Sequence, residues 1–202
     1  EPCLKISGID CHIGSQMTSG MPIIEATDKI ISLYKKLLAE GIKVDHIDMG
    51  GGLGVTYDNE TPPTPSEYCA PILERLKDLD VSIYIEPGRA MVANACILLA
   101  KVQYQKDNGD KHFIITDTGM NDMIRPALYG SWMTIINTTV HPDGEAVKSD
   151  VVGPICESDD FLGKDRKLNV RNGDILAVRG AGAYGSSMAS TYNTRRLPCE
   201  VM

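Results

Sequence analysis

The sequence predicts an α/β part followed by an all-β part, and three observations carry that expectation. Apolar, strand-like segments recur at a pitch of 38 residues, marked by Ile9, Ile47 and Ile85. Helical periodicity fills the stretches between them. From residue 94 onward the rhythm gives way to short runs rich in β-branched residues, separated by turn signals.

The strand-like segments cover residues 4–13, 44–49 and 81–85. Between the first two, Ile23, Ile24, Ile30, Ile31, Tyr34, Leu37 and Leu38 approximate the i, i+3, i+4 spacing of a helix, and Gly41 is placed to stop it. A second helix is signalled by Tyr68, Ile72, Leu73, Leu76 and Leu79, with Ser66 as N-cap and Glu67 in its first turn. Strand, helix, strand at this pitch means βαβ units and a parallel sheet. A closed (β/α)8 barrel takes about 250 residues, so three units form either a small open sheet or part of a barrel. The chain begins at Glu1 and stops within an apolar run at residues 197–202, which favours a fragment. Residues 1–93 are therefore expected to be the last three βα units of a TIM-type barrel. Residues 94–202 are expected to form an antiparallel β-sandwich or barrel, with strands near 96–104, 112–116, 134–140, 150–155 and 174–179. Asn108-Gly109-Asp110, Pro142-Asp143-Gly144 and Asn172-Gly173-Asp174 supply turns.

Composition narrows the function classes. The 202 residues are 43% hydrophobic and 23% charged, ordinary for a globular protein. No apolar run approaches the roughly 20 residues needed to cross a membrane. A formal charge of −7 argues against nucleic-acid partners. Six scattered cysteines and four isolated histidines form neither a disulfide scaffold nor a metal-ligand cluster, so reduced thiols in a cytoplasmic protein and no metal site are expected.

Three strand ends carry candidate chemistry, and in α/β folds ligands bind at the carboxyl ends of strands. His12-Ile13-Gly14-Ser15-Gln16 offers an imidazole to stack on a flat ligand and Ser15 to meet a phosphate, although a hydrogen-bonded loop histidine reads the same way. Gly50-Gly51-Gly52-Leu53-Gly54 could form an anion nest of backbone N–H groups or a flexible turn, and it matches neither the dinucleotide fingerprint nor a P-loop. Glu86-Pro87-Gly88-Arg89 places a carboxylate where it could pair with a protonated ring nitrogen, and an arginine fork for phosphate or carboxylate. Together the three suit a flat, phosphorylated, cationic ring such as pyridoxal phosphate. The β part adds Arg125–Tyr129, Cys156-Glu157-Ser158-Asp159 and Gly180-Ala181-Gly182-Ala183-Tyr184-Gly185, each weak in isolation.

These motifs, in this order, resemble the fold-type III, alanine-racemase-like pyridoxal phosphate decarboxylases, and within them the diaminopimelate decarboxylases. The resemblance covers essentially the whole chain. It implies that His12 stacks on the cofactor ring, that Glu86 keeps the ring nitrogen protonated, and that Ser15, Gly51, Gly52, Gly88, Arg89 and Tyr184 surround the phosphate. It implies further that Arg89, Arg125, Tyr129, Glu157 and Tyr184 hold an amino-acid substrate. Cys156, reaching in from the neighbouring subunit of a homodimer with shared active sites, would return a proton to the carbon that loses CO2. Ornithine-type relatives carry an aspartate just after the Leu-Tyr pair, where Gly130 stands in this sequence, and they lack an arginine at the Arg125 position. Arg125 suits the distal carboxylate of meso-diaminopimelate, and Glu157 suits its distal ammonium. The implied reaction yields L-lysine and CO2, a step of lysine biosynthesis.

Rival readings are a decarboxylase for arginine or carboxynorspermidine, a non-catalytic binding homologue, and a stand-alone phosphate-binding module. The last would leave a flank of the parallel sheet unpaired. The resemblance places the family's cofactor-bearing lysine upstream of all these motifs, and none of the twelve lysines occupies that context. The chain by itself is therefore expected to be inactive. Incubated with pyridoxal phosphate and diaminopimelate, it should release no CO2 above background; enzymatic release, followed with carboxyl-labelled substrate, would contradict this.

Overall fold

A computed structural model describes residues 3–202 and turns the repeating segments into a three-stranded parallel sheet. Its strands are β1 (Gly8–Asp10), β2 (His46–Asp48) and β3 (Ser82–Tyr84), in that order. Each is three residues long, shorter than the apolar segment that announced it. The register aligns Ile9 with Ile47 and Ile47 with Ile83, so the pitch is 38 residues for the first unit and 36 for the second. Ile85 lies two residues beyond the aligned position. A shift of two preserves which face a side chain occupies, and for that reason the regular spelling misleads by a step without inverting the sheet.

Helix α1 (Met21–Ala39) buries Ile23, Ala26, Thr27, Ile30 and Tyr34, one stripe at helical spacing. It ends as Gly41 implied. Gly41 has φ 78°, its N–H donates to the Leu38 carbonyl at 3.0 Å, and the Ile42 N–H reaches the Leu37 carbonyl at 2.9 Å, the paired bonds of a Schellman motif. Helix α2 (Pro65–Leu76) is capped by Thr64, not by Ser66 as its sequence suggested. The Thr64 hydroxyl accepts the Glu67 N–H, and the Glu67 carboxylate accepts the Thr64 N–H. This reciprocal box, with Pro65 preset for the first helical position, puts Ser66 inside the helix. Tyr68, Ile72 and Leu76 join Ile23, Ile30, Ile47 and Met49 in one apolar core. A short helix α3 (Gly88–Val92) follows β3, and the chain divides into two compact units after Met91.

The second unit is a six-stranded sheet. Its strands are β4 (Ile97–Asn108), β5 (Lys111–Thr116), β6 (Ile135–Asn137), β7 (Val147–Val152), β8 (Phe161–Leu168) and β9 (Ile175–Arg179), ordered β6-β9-β4-β5-β7-β8. The end strands β6 and β8 lie in contact, so the sheet curls into a nearly closed barrel. The expected antiparallel pattern fails at one ladder, where β5 and β7 run parallel. A parallel pair needs a crossover of a dozen or more residues, and the chain between β5 and β7 supplies one containing helix α4 (Arg125–Tyr129) and β6. Strand β8 has no counterpart among the strands the sequence predicts. Half of Phe161-Leu162-Gly163-Lys164-Asp165-Arg166-Lys167-Leu168 is charged, and a left-handed Asp165 (φ 59°) at an irregular register with β7 breaks the alternation that marks a strand. Its buried Arg166 instead lies over the Trp132 ring, 3.1 Å from the centroid. Among the described residues the six cysteines are free, and no helix is long and apolar enough to cross a membrane.

Asp174 ties β6 to the turn that opens β9. Its carboxylate accepts from Asn137 Nδ2 at 2.7 Å and from the Arg171 N–H at 2.8 Å, and it lies 2.6 Å from His141 Nε2. Burial pushes its pKa up, but the bonds from His141, Arg171 and Asn137 outweigh that and hold it below the usual carboxylate value. A folded pKa below the unfolded one stabilises the protein above the unfolded value, about pH 4, and that stability is lost as pH falls further. Asp174→Asn should flatten the pH dependence of stability below about pH 4, as measured by urea unfolding of both proteins across the acid range.

Candidate functional site

In the first unit the three strand ends are joined by hydrogen bonds. Gly51 N–H donates to His12 Nδ1 at 3.2 Å, and Glu86 N–H donates to the Gly50 carbonyl at 2.7 Å. The imidazole loop is further stapled to the glycine loop by Gln16. This side chain donates to the Val55 carbonyl at 2.6 Å and accepts the Val55 N–H at 3.1 Å, reproducing a strand ladder with a side-chain amide. Tyr68, buried in α2, donates its hydroxyl to the Gly51 carbonyl at 2.9 Å.

The glycine triplet serves this convergence. A Cβ on Gly51 would lie 2.3 Å from the Glu86 carbonyl oxygen, and one on Gly52, whose φ is 110°, would lie 2.7 Å from the Gly14 carbonyl oxygen. Real Cβ atoms do not approach so closely, so side chains at these positions would force the loops apart. Of the two alternatives for this loop, an anion nest or a flexible turn, a nest would already have two of its N–H groups taken up by the protein itself. The Gly50 N–H donates to Asp48 Oδ1 at 2.8 Å, and the Gly51 N–H is engaged by His12. Gly88, by contrast, has open space where a Cβ would stand.

Arg89 is buried at the start of α3, and its guanidinium reaches back to the first loop. Nη2 and Nε donate to Ser15 Oγ at 3.0 and 3.4 Å, and Nη1 donates to the Tyr57 hydroxyl at 2.7 Å. Ser15 and Arg89, read separately in the sequence, are therefore neighbours. Asp10, Asp48 and Glu86 gather their carboxylates within 4.8 Å of one another at the strand tips. Three negative charges so close favour a cation between them. The sequence motifs do not include Asp10, Asp48 or Tyr57. The signal for the two aspartates was present, since each directly follows a phased isoleucine, Ile9 and Ile47, as Glu86 follows Ile85.

In the second unit, Arg125, Tyr129 and Tyr184 come together. The Arg125 guanidinium carbon lies 5.4 Å from the Tyr129 ring centroid and 5.4 Å from that of Tyr184, and Nη2 donates to Ser131 Oγ at 3.3 Å. Helix α4 presents Arg125 and Tyr129 one turn apart and is stopped by a left-handed Gly130. Tyr184 itself holds φ 63°, a conformation uncommon for a bulky residue and concentrated at functional loops. Cys156 and Glu157 are exposed on the turn between β7 and β8, where Glu157 accepts a hydrogen bond from the Tyr192 hydroxyl. That bond pushes the Tyr192 phenol above its usual pKa.

The family described as pyridoxal-dependent decarboxylase, C-terminal sheet domain, matches residues 13–182. The chain belongs to the pyridoxal-dependent decarboxylases. The chain is 54% identical, over its full length, to 49% of the diaminopimelate decarboxylase of Haemophilus influenzae. It is 53% identical to the diaminopimelate decarboxylase of Vibrio cholerae, of which it covers 48%. It also superposes, with a TM-score of 0.90 and 43% identity, on a crystal structure of diaminopimelate decarboxylase from Helicobacter pylori complexed with L-lysine, over 96% of this chain and 48% of that one. The chain thus spans about half the length of the curated relatives it matches.

The glycine geometry separates two substitutions that composition alone would rank equal. Gly51→Ala should lower the stability of the chain by about 1–3 kcal/mol through the clash with the Glu86 carbonyl. Gly88→Ala should change it by less than about 0.5 kcal/mol. Urea unfolding followed by circular dichroism distinguishes them, and equal effects would refute the role given to Gly51.

Proposed function

We propose that this chain is half of a diaminopimelate decarboxylase, contributing the last three βα units of its barrel and the sheet domain that reads the substrate. The observation that carries the proposal is Arg125 flanked by the rings of Tyr129 and Tyr184. A buried guanidinium held close to two rings and to Ser131 keeps its direction, and a planar fork so held can meet a carboxylate bidentately. With Gly130 following the tyrosine, no acid is offered there to a distal amine, and a substrate ending in a carboxylate is the better match.

The first unit fits pyridoxal phosphate in charge. The carboxylates of Asp10, Asp48 and Glu86 favour a protonated ring nitrogen, and Arg89 with Ser15 suits a phosphate. When bound, the cofactor supplies an electron sink for the bond to the departing CO2. Glu86 is the group we assign to the ring nitrogen, and His12 is the group assigned to its face. His12 is steadied for that by the Gly51 N–H. Gly51, Gly52 and Gly88 line the same loops, and in the second unit Tyr184 is assigned to the substrate. In the second unit Arg125, Tyr129 and Glu157 take the distal end of the substrate. Cys156 returns a proton to the α-carbon of a substrate held by a partner copy, so the working enzyme is a homodimer.

The high identity to two enzymes named diaminopimelate decarboxylase supports this substrate over arginine or ornithine. The test is turnover by the full-length polypeptide that carries this chain. meso-Diaminopimelate should be decarboxylated to lysine, with ornithine and arginine turned over at least 100-fold less well. Arg125→Ala should lower kcat/KM for diaminopimelate by about two orders of magnitude, the loss of a charge-assisted bidentate pair. Preference for ornithine, or an unchanged kcat/KM in the variant, would overturn the assignment.

A further inference from the structure

We propose that Asp160 is a positioning residue, setting the turn that carries Cys156 and Glu157 against the loop that leads into α4. What the turn does rests on the decarboxylase reading above; that Asp160 holds it rests on geometry alone. Asp160 is 5% exposed, an unusual place for a carboxylate, and it is engaged at every polar atom. Oδ2 accepts the Ile155 N–H at 2.5 Å, and Oδ1 accepts the Met120 N–H at 2.6 Å. Its carbonyl accepts the Gly153 N–H at 3.2 Å, and its own N–H donates to the Glu157 carbonyl at 3.2 Å. The chain therefore leaves the residue's surroundings at Gly153 and returns at Asp160, closing the six residues between them into a fixed loop with the thiol at its exposed crest.

The joint tolerates no side chain beside it. A Cβ on Gly153 would lie 2.6 Å from both Asp160 carboxylate oxygens and 2.4 Å from the Gly119 Cα, and one on Gly119 would lie 2.6 Å from Asp160 Oδ1. From Met120 the chain runs through Asp122, whose Oδ2 accepts the Gly119 N–H at 2.9 Å, to Arg125 at the head of α4. One buried carboxylate thus references both groups of substrate-facing residues to a common point. Burial pushes the Asp160 carboxyl above the ordinary carboxylate range, opposed by the Met120 and Ile155 N–H groups and by the positive charge of Arg195. An amide in its place would set an NH2 against one of two backbone donors and leave that donor unpaired.

The experiment uses the full-length polypeptide that carries this chain. Asp160→Asn should lower kcat/KM at least tenfold at temperatures where it is fully folded, and should change the rate of Cys156 alkylation by iodoacetamide several-fold. Leu162→Ala removes a fully buried side chain from the adjoining strand and serves as the control for general destabilisation. It should keep both quantities within about twofold despite an equal or larger fall in Tm. Wild-type values in Asp160→Asn, or equal losses in Leu162→Ala, would overturn the proposal. Amide hydrogen exchange in the unmodified protein adds a measurement that needs no variant to fold. The Met120 and Ile155 amides should exchange more slowly than their loop neighbours, and fast exchange at both would also overturn it. Absence of decarboxylase activity in the unmodified protein would sink the functional reading, while alkylation and exchange would still decide the joint.

Discussion

Backbone crowding at the tips of the parallel sheet is the constraint on which the first unit depends. The loops after β1, β2 and β3 approach until the Gly51 Cα and the Glu86 carbonyl leave no room for a methyl group. Because they meet, the hydrogen-bond donors of one loop find acceptors on another. Gly51 steadies His12, Gly50 accepts from Glu86, and Arg89 reaches Ser15. The close approach also concentrates charge. Three carboxylates share a space of 4.8 Å, and a buried guanidinium sits in the same set of loops, so opposite electrostatic preferences are built into neighbouring parts of one surface. Positive and negative fields therefore lie side by side within this unit.

The second unit solves a different problem, namely holding polar residues still on a β scaffold. Arg125 is buried with two phenol rings near its guanidinium, and Asp160 is buried between two backbone donors. Each case follows the rule that an ion leaves water only when its geometry is well matched. Burial here serves orientation more than stability. A side chain fixed on several sides keeps its direction without the entropy cost of ordering it on binding. The left-handed Tyr184 belongs to the same pattern, since strain persists only where surrounding contacts over-determine it.

Family membership is established by a match spanning residues 13–182, and the two enzymes of Haemophilus influenzae and Vibrio cholerae carry the same name. The physical features of the two units give reasons for individual positions that a name does not. They explain why consecutive glycines stand after β2 and why small residues flank Asp160. They also identify Tyr57, Gln16 and Asp160 as supports for the side chains that resemblance singled out.

Much of this was legible in the linear chain. Helical spacing marked the buried stripe of α1, and Gly41 marked its end, because periodicity and backbone freedom are local properties. The motifs at His12, Glu86 and Arg125 could be recognised for the same reason: each is a short run whose chemistry is written in adjacent residues. Other features depend on groups far apart in the chain. Ser66 lost the cap to Thr64 because capping is decided by backbone angles and a reciprocal bond. Strand β8 hid behind its charges because its pairing with β7 stabilises it against composition. The β5–β7 pair runs parallel because of where a long connection returns, which no local pattern encodes. Sequence alone thus determined which chemical groups are present and which local elements they ride on. Tertiary structure decided which of them meet, because hydrogen bonds and charge act over a few ångströms between residues as distant as Ser15 and Arg89.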